Sequence, residues 1–241
     1  MVAGALVLMG FFLTVRAKER AGEEPLLSTA LFRNRTSNFG LVTQNTQWLM
    51  LIGTSFVVSA YLQVVRGYDA VETGVIFTAA TAGLLISSIA AERLAKRYPQ
   101  RTLIVAGYIV TLVGIAVLLA LVAGSPSAWA FAPGLFVIGL GIGAMLTPSV
   151  NVVQSSFDEQ KQGEISGLSR SVSNLGSSLG AAIAGTILVA GITSDPDRSY
   201  ALAMVVLGVI GLVGLVASWF LPADLGTPVE AQPKQADKPL A

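Results

Sequence analysis

Six long apolar runs dominate this sequence and leave little freedom in its fold. They cover roughly residues 39–65, 72–91, 102–123, 128–155, 164–191 and 199–221. Each run is near or above the ~20 residues that a helix needs to cross the hydrocarbon core of a bilayer. Charged residues make up only 12% of the chain, against about a quarter in soluble domains. The sequence therefore predicts an all-α membrane protein with six complete transmembrane helices and the lipid bilayer as its partner.

A shorter apolar run, MVAGALVLMGFFLTV, occupies residues 1–15. No basic stretch precedes it and no small-residue cleavage motif follows it, so it does not resemble a signal peptide. We interpret it as the end of a preceding transmembrane helix; a short tilted helix is the alternative. Residues 16–38 then form a cytoplasmic linker. The segment 222–241 is rich in Pro, Ala and charge, and we expect a disordered cytoplasmic tail there.

The basic residues alternate between the two sides of the six predicted spans. Thirteen of them fall on one side, in 16–38, 92–101, 156–170 and the C-terminal tail, and two fall on the other side, in 66–71 and near 198. The positive-inside rule places the richer side in the cytoplasm. We therefore expect a multi-pass protein of the cell membrane with a cytoplasmic C-terminus.

The chain lacks the residues that most enzymes and metal sites use. It has no cysteine and no histidine, which excludes disulfides, Cys or His nucleophiles and the usual zinc sites. None of the fourteen acidic residues lies in the central part of a predicted span. A proton-coupled pump ordinarily needs an intramembrane carboxylate or histidine. A net charge of +1 gives no reason to expect a nucleic-acid partner, and the sequence predicts neither a metal nor a cofactor.

The stretch GLGIGAML, residues 139–146, has the glycine content of a dinucleotide-binding turn but the wrong context. Such a turn joins a strand to a helix in a soluble unit, whereas these glycines lie in the middle of a span. Gly139 and Gly143 form a small-xxx-small pair that lets another helix approach closely. Gly176 and Gly180 repeat the spacing in the next span, and Pro148 predicts a kink. Helix packing and a hinge beside a substrate path are both open.

Uncharged amides recur within the spans and are costly when they face lipid. They should therefore turn inward, either as hydrogen bonds between helices or as the lining of a water-filled substrate cavity. The candidates for the cavity are Gln44, Gln47, Gln63, Asn151, Gln154 and Asn174.

Five segments together resemble the C-terminal half of a major facilitator superfamily transporter, of the fourteen-helix drug:proton antiporter branch. They are PLLSTALFRNR (25–35), YLQVVRGYDAVETG (61–74), LAKRYPQRTLIVAG (94–107), GLGIGAMLTPSV (139–150) and GEISGLSRSVSNLGSSLGAAIAGTIL (163–188). The resemblance implies that residues 1–15 end the eighth helix and that 39–221 form a six-helix bundle of two inverted three-helix repeats. It also implies a small-molecule substrate bound between two such bundles, which rock to alternate access.

The connection LAKRYPQR departs from the acidic and glycine pattern that this family usually has at that place. Its basic residues are Arg93, Lys96, Arg97 and Arg101. They have two possible uses, in gating or in contact with anionic headgroups and the end of a helix. The loss of the acidic residue puts the gating role in question.

We expect a part of a proton-coupled exporter of hydrophobic or amphipathic compounds, which needs an N-terminal half. That half either belongs to a longer protein of which this is a piece, or comes from a separate chain. The alternative is a membrane scaffold or regulatory protein without transport activity. A lipid-modifying enzyme is the least favoured of the three, because no carboxylate pair, nucleophile–base set or metal cluster is visible.

Overall fold

The computed structural model describes residues 33–122 and 127–223, together with residues 9, 10 and 14. Six helices in these parts of the chain are long and apolar enough to cross a membrane, which confirms the predicted all-α membrane fold. They are α1 (Arg35–Ala60), α2 (Ala70–Leu94), α3 (Gln100–Val122), α4 (Phe131–Gln154), α5 (Gln162–Gly191) and α6 (Pro196–Trp219). α1 continues as a π-helical turn over Tyr61–Val65.

The first helix begins before its apolar run. Asn34 caps it, since the side-chain oxygen accepts a hydrogen bond from the backbone N–H of Ser37 at 3.2 Å. The helix therefore begins within the predicted linker 16–38, because hydropathy does not register a polar first turn. Most of 1–15, the linker up to residue 32 and the tail beyond 223 lie outside the described residues, and the predictions for those segments remain predictions.

Acidic residues at the ends of spans cap the helices that follow them. Asp69 and Glu72 form a reciprocal capping box, in which each carboxylate accepts a hydrogen bond from the backbone N–H of the other, at 2.7 and 3.0 Å. Asp195 accepts from the backbone N–H of Arg198 at 3.0 Å. Gly67 lies between the π-helical turn and Asp69 with a φ of +74°, a conformation that glycine adopts without a steric penalty. The turn from α1 to α2 is therefore tight.

The six helices form two layers. Contacts run from α2 to α4, from α4 to α1 and from α1 to α5, and we call these four helices the front layer. The back layer consists of α3, which packs on α4, and α6, which packs on α1, α3 and α5. Only 22% and 28% of the residues in the apolar windows of α2 and α5 are buried, against 39–50% in the other helices. These two helices are the edges of the front layer.

The two halves of the bundle exchange their first helices. α4 packs mainly on α2 and α3, whereas α1 packs mainly on α5 and α6. The first helix of each three-helix repeat thus completes the other repeat. This exchange is what two inverted repeats that share one core would produce.

Glycines permit the closest of these contacts. A Cβ added to Gly139 would overlap the carbonyl oxygen of Ala80 in α2, and one added to Gly143 would overlap Leu84 and Ser87. Gly141 faces the other way, where a Cβ would lie within 2.6 Å of the Gly107 carbonyl oxygen in α3. The alternate glycines of GLGIGAML therefore let α4 fit between α2 and α3, and van der Waals contact holds the three helices together.

Candidate functional site

Exposed polar side chains within the spans concentrate on the front layer. On α5, Ser171, Asn174 and Ser178 are all exposed and lie three or four residues apart, which places them on one face. In the back layer the exposed side chains of the middle turns are apolar: Ile109 and Val113 on α3, and Leu202, Val205, Val209, Leu212, Val213 and Val216 on α6. The back layer thus suits contact with lipid, whereas the front layer carries groups that are costly there.

A groove opens on the front layer beside α1 and the start of α2. It has a volume of about 490 Å³. Its lining is Ile52, Ser55, Phe56, Ser59, Ala60, Gln63, Val64 and Phe77. Gln63 is exposed there, and its Nε2 donates a hydrogen bond to Ser59 Oγ at 2.8 Å. The groove therefore combines apolar and aromatic walls with a short row of uncharged polar groups, a lining that suits an amphipathic molecule.

Gln44, predicted for the cavity, lies inside the contact between α1 and α5. It is 3% exposed, its Nε2 donates to Ser173 Oγ at 2.9 Å, and its Oε1 accepts from Ser169 Oγ at 2.9 Å. The neighbouring Asn45 donates from Nδ2 to the carbonyl oxygen of Val172, also at 2.9 Å. Both amides form hydrogen bonds between α1 and α5. For Gln44 this is the first of the two roles that the sequence left open, a hydrogen bond between helices rather than a cavity lining.

Gln47 is 1% exposed, and neither its Nε2 nor its Oε1 has a hydrogen-bond partner among the described residues. A buried polar group without a partner costs about 1–3 kcal/mol. Ser149 Oγ on α4 and Thr54 Oγ1 on α1 are also buried and unpaired. The bundle interior therefore holds hydrogen-bonding capacity that the described side chains leave unused.

The remaining amide candidates, Asn151, Gln154 and Asn174, lie on α4 and α5 of the front layer. Asn174 is exposed on α5, and Asn151 is half-buried on α4. Gln154, at the end of α4, donates from Nε2 to Ser166 Oγ at 3.5 Å. The structure thus does not gather the six predicted side chains into one pocket: Gln63 lines the groove, Asn174 lies on the exposed face of α5, and Gln44 and Gln47 are internal.

The predicted packing positions lie at contacts between helices. Gly176 and Gly180 of α5 face the backbone of Asn45 and Leu49 in α1, where an added Cβ would overlap each carbonyl oxygen. Pro148 is buried within α4 and cannot donate a backbone hydrogen bond to the preceding turn. In the basic connection, Arg93, Lys96 and Arg97 are exposed and Arg101 is half-buried.

A polar cluster at the far end of α1 escaped the sequence prediction. The Tyr61 hydroxyl donates to the carboxylate of Asp197 and accepts from Arg66 Nε at 3.1 Å, and the Arg66 guanidinium lies 5.3 Å from the Tyr61 ring centroid. A cavity of about 160 Å³ adjoins this cluster and is also lined by Tyr200, whose buried hydroxyl has no hydrogen-bond partner in the described part of the chain. The sequence offered one signal for this cluster. Tyr61 and Arg66 stand at the end of one predicted span, and Asp197 stands at the start of another.

The described residues contain no group of three or more His, Cys, Asp or Glu that could hold a metal ion. The groove itself is lined by hydroxyl, amide and apolar groups. The groove can therefore bind uncharged parts of a molecule through hydrogen bonds and apolar contacts.

The fold is similar to that of a solved structure, a POT family transporter in complex with a thioalcohol conjugated peptide. The TM-score is 0.62 at 19% identity, over 80% of this chain and 39% of that one. This similarity concerns the fold alone.

Several curated proteins are similar in sequence. The puromycin resistance protein pur8 of Streptomyces alboniger is 30% identical over 78% of this chain and 37% of its own length. The multidrug efflux pump LfrA of Mycolicibacterium smegmatis is 28% identical over 81% and 38%. The tetracenomycin C resistance and export protein of Streptomyces glaucescens is 28% identical over 82% and 36%. The chain spans about a third of the length of these relatives.

The family model described as Major Facilitator Superfamily matches residues 1–181 and, in a second overlapping match, residues 46–240. The relatives are named for resistance, efflux and export rather than for catalysis. Together with six membrane-spanning helices in two exchanged repeats, the matches assign this multi-pass membrane chain to a family of transporters. The chain belongs to the Major Facilitator Superfamily.

Proposed function

We propose that this chain is the C-terminal part of a secondary active exporter of hydrophobic or amphipathic small molecules. The observation that carries the proposal is the front layer, where the groove lined by Ser55, Ser59 and Gln63 accompanies the exposed polar face of α5. Uncharged polar groups beside aromatic walls favour a substrate with apolar bulk and few hydrogen-bonding groups. The relatives named for multidrug efflux and for tetracenomycin C export support the same substrate class.

The front layer needs a partner, because its exposed polar side chains are costly in lipid. We propose that an N-terminal transporter part covers it and closes a water-filled cavity between the two. The chain spans about a third of its relatives' length, which leaves room in them for such a part. Alternating access then requires both parts, and this chain is incomplete as a transporter when alone.

Proton coupling is the finer part of the proposal. No acidic residue lies in the central part of a span of this chain, and the described ones at span ends include the helix caps Asp69 and Asp195. We therefore propose that the N-terminal part supplies the titrating carboxylate. In the same scheme the basic connection at 92–101 and the C-terminus lie in the cytoplasm of a cell-membrane protein.

Transport is tested by expressing the chain in a drug-sensitive host, alone and joined to the N-terminal part of a related exporter. We expect dye efflux that a protonophore abolishes from the joined protein, and none from the chain alone. Efflux from the chain alone, without a homodimer in cross-linking, would contradict the proposal.

The position of the cavity is tested by thiol labelling, since the natural chain has no cysteine. In the joined protein, Asn174→Cys should react with a water-soluble maleimide and should be protected by an excess of transported drug. Val209→Cys, exposed on the back layer, is the matched control and should stay unlabelled in the membrane. Equal labelling of the two positions would place the aqueous cavity elsewhere.

A further inference from the structure

A second groove lies on the back layer, where α3 begins and α6 ends. It has a volume of about 260 Å³ and is lined by Pro99, Arg101, Thr102, Val105, Trp219 and Ala223. Arg101 is the second residue of α3 and Trp219 the last residue of α6, so the groove lies at the end of the spans rather than near their middle. It is on the opposite side of the bundle from the proposed transport surface, so a ligand bound there does not depend on the proposed function.

Arg101 gives this groove its charge. Its side chain is half-buried, and among the described residues it has no hydrogen-bond or ion-pair partner. Arg93, Lys96 and Arg97 precede it in the same connection, whereas Glu92 is the one acidic residue between positions 73 and 157. The described residues that line the groove include no carboxylate, so Arg101 attracts an anion there, and its planar guanidinium suits the oxygens of a phosphate.

The other walls indicate which anion fits. Trp219 is 60% exposed and lies at the end of its helix. Tryptophans are enriched at such positions, where a span meets the headgroup region of a bilayer. Val105 lies one turn further along α3 from Arg101 and continues into the exposed apolar side chains Ile109 and Val113. A ligand in the groove therefore meets a cation and an indole at one end and an unbroken apolar surface at the other.

We propose that this groove binds one anionic phospholipid, with its phosphate at Arg101, its glycerol region against Trp219 and an acyl chain along α3. Free inorganic phosphate would meet the same guanidinium but would gain nothing from Val105 and the apolar surface beyond it. Basic pockets between transmembrane helices are known to select lipids by headgroup charge.

The test uses the full chain with Trp48→Phe and Trp129→Phe, so that Trp219 is its sole tryptophan. The protein is reconstituted into mixtures in which either phosphatidylglycerol or phosphatidylcholine carries acyl chains brominated near the headgroup, and quenching of Trp219 fluorescence gives the relative occupancy. A basic residue near the surface contributes about 1 kcal/mol with anionic lipid, which is a preference of about fivefold for phosphatidylglycerol. We expect Arg101→Gln to bring that ratio close to one.

Arg97→Gln is the matched control, because Arg97 is exposed in the same connection and does not line the groove. It should keep most of the preference, and circular dichroism should show that both variants remain helical. Equal quenching by the two lipids, a preference that survives Arg101→Gln, or a preference that an excess of inorganic phosphate removes would each overturn the proposal.

Discussion

Gly139 of α4 lies so close to Ala80 of α2 that a single added methyl group would overlap the Ala80 carbonyl oxygen. Backbone atoms cannot rotate away as a long side chain can, so Gly139→Ala should force the two helices apart. Such overpacking costs about 1–3 kcal/mol. We expect a lower midpoint for thermal unfolding in detergent, measured by loss of the monodisperse peak in size-exclusion chromatography.

Gly74→Ala is the control for this change. Gly74 lies in α2, and an added Cβ there meets nothing within 4 Å. Alanine is the better helix former by about 1 kcal/mol, so this variant should be at least as stable as the parent. A Gly139→Ala protein with an unchanged midpoint would show that α2 and α4 are not held at this distance.

Gln44 and Ser173 should be energetically coupled. Their side chains form a buried hydrogen bond of 2.9 Å between α1 and α5. Polar pairs between membrane helices average about 0.6 kcal/mol and reach about 1.7 kcal/mol in double-mutant cycles. We expect a coupling energy in this range from Gln44→Ala, Ser173→Ala and the double variant, measured as the free energy of unfolding in mixed micelles. The exposed pair Gln63 and Ser59, at 2.8 Å, should give a smaller coupling because water competes for both groups.

Gln47→Leu should stabilise the protein. The amide is buried and the described residues offer it no partner, so its removal relieves a penalty of about 1–3 kcal/mol at nearly constant volume. Gln44→Leu, three residues away on the same helix, should have the opposite sign because it leaves the Ser169 hydroxyl without its acceptor and removes the donor to Ser173 Oγ. The midpoint of thermal unfolding distinguishes the two. A loss of stability in Gln47→Leu would mean that the amide has a partner beyond the described residues.

Tyr61→Phe should loosen the end of α1 from the start of α6. The change keeps the aromatic ring, which packs at a tilt against Tyr200 with centroids 4.5 Å apart, and removes the hydroxyl between Arg66 and Asp197. Hydrogen bonds to charged groups contribute about 1.5–3 kcal/mol, and the exposure of Asp197 to solvent puts the expected loss near the lower value. Tyr98→Phe is the control, since Tyr98 is 49% exposed and should change stability by less than about 0.5 kcal/mol. Equal unfolding midpoints for the two variants would contradict a role for the hydroxyl.

The six spans could be predicted from sequence because hydrocarbon tolerates few polar residues, so an apolar run of sufficient length has one stable conformation there. Helix ends were harder: the start of α1 at Arg35 depends on the cap at Asn34, which is polar like the linker before it. The spacing of Gly139 and Gly143 indicated a close contact. That this contact is with α2, and that Gly141 faces α3 instead, depends on tertiary packing that no local pattern contains.

The amides show the same limit more sharply. Gln44 and Gln47 are three residues apart and look equivalent in the sequence. Serines of α5 bind both the nitrogen and the oxygen of the Gln44 amide, whereas the Gln47 amide is buried without a partner among the described residues. The difference depends on which side chains of distant helices arrive at each position. The cluster of Tyr61 and Asp197 was missed for this reason, since 136 residues separate the two.

The exchange of first helices between the two repeats governs how this chain can assemble during synthesis. Of the six described spans, α1 emerges from the ribosome before the other five, but its main partners, α5 and α6, follow more than a hundred residues later. Until then, the serine- and glycine-facing side of α1 is open to lipid, to the insertion machinery and to membrane proteases. A chain truncated after α4 would leave α1 without those partners, and we expect the cell's quality-control proteases to degrade it. Expression level should therefore fall off sharply with truncation rather than in proportion to it.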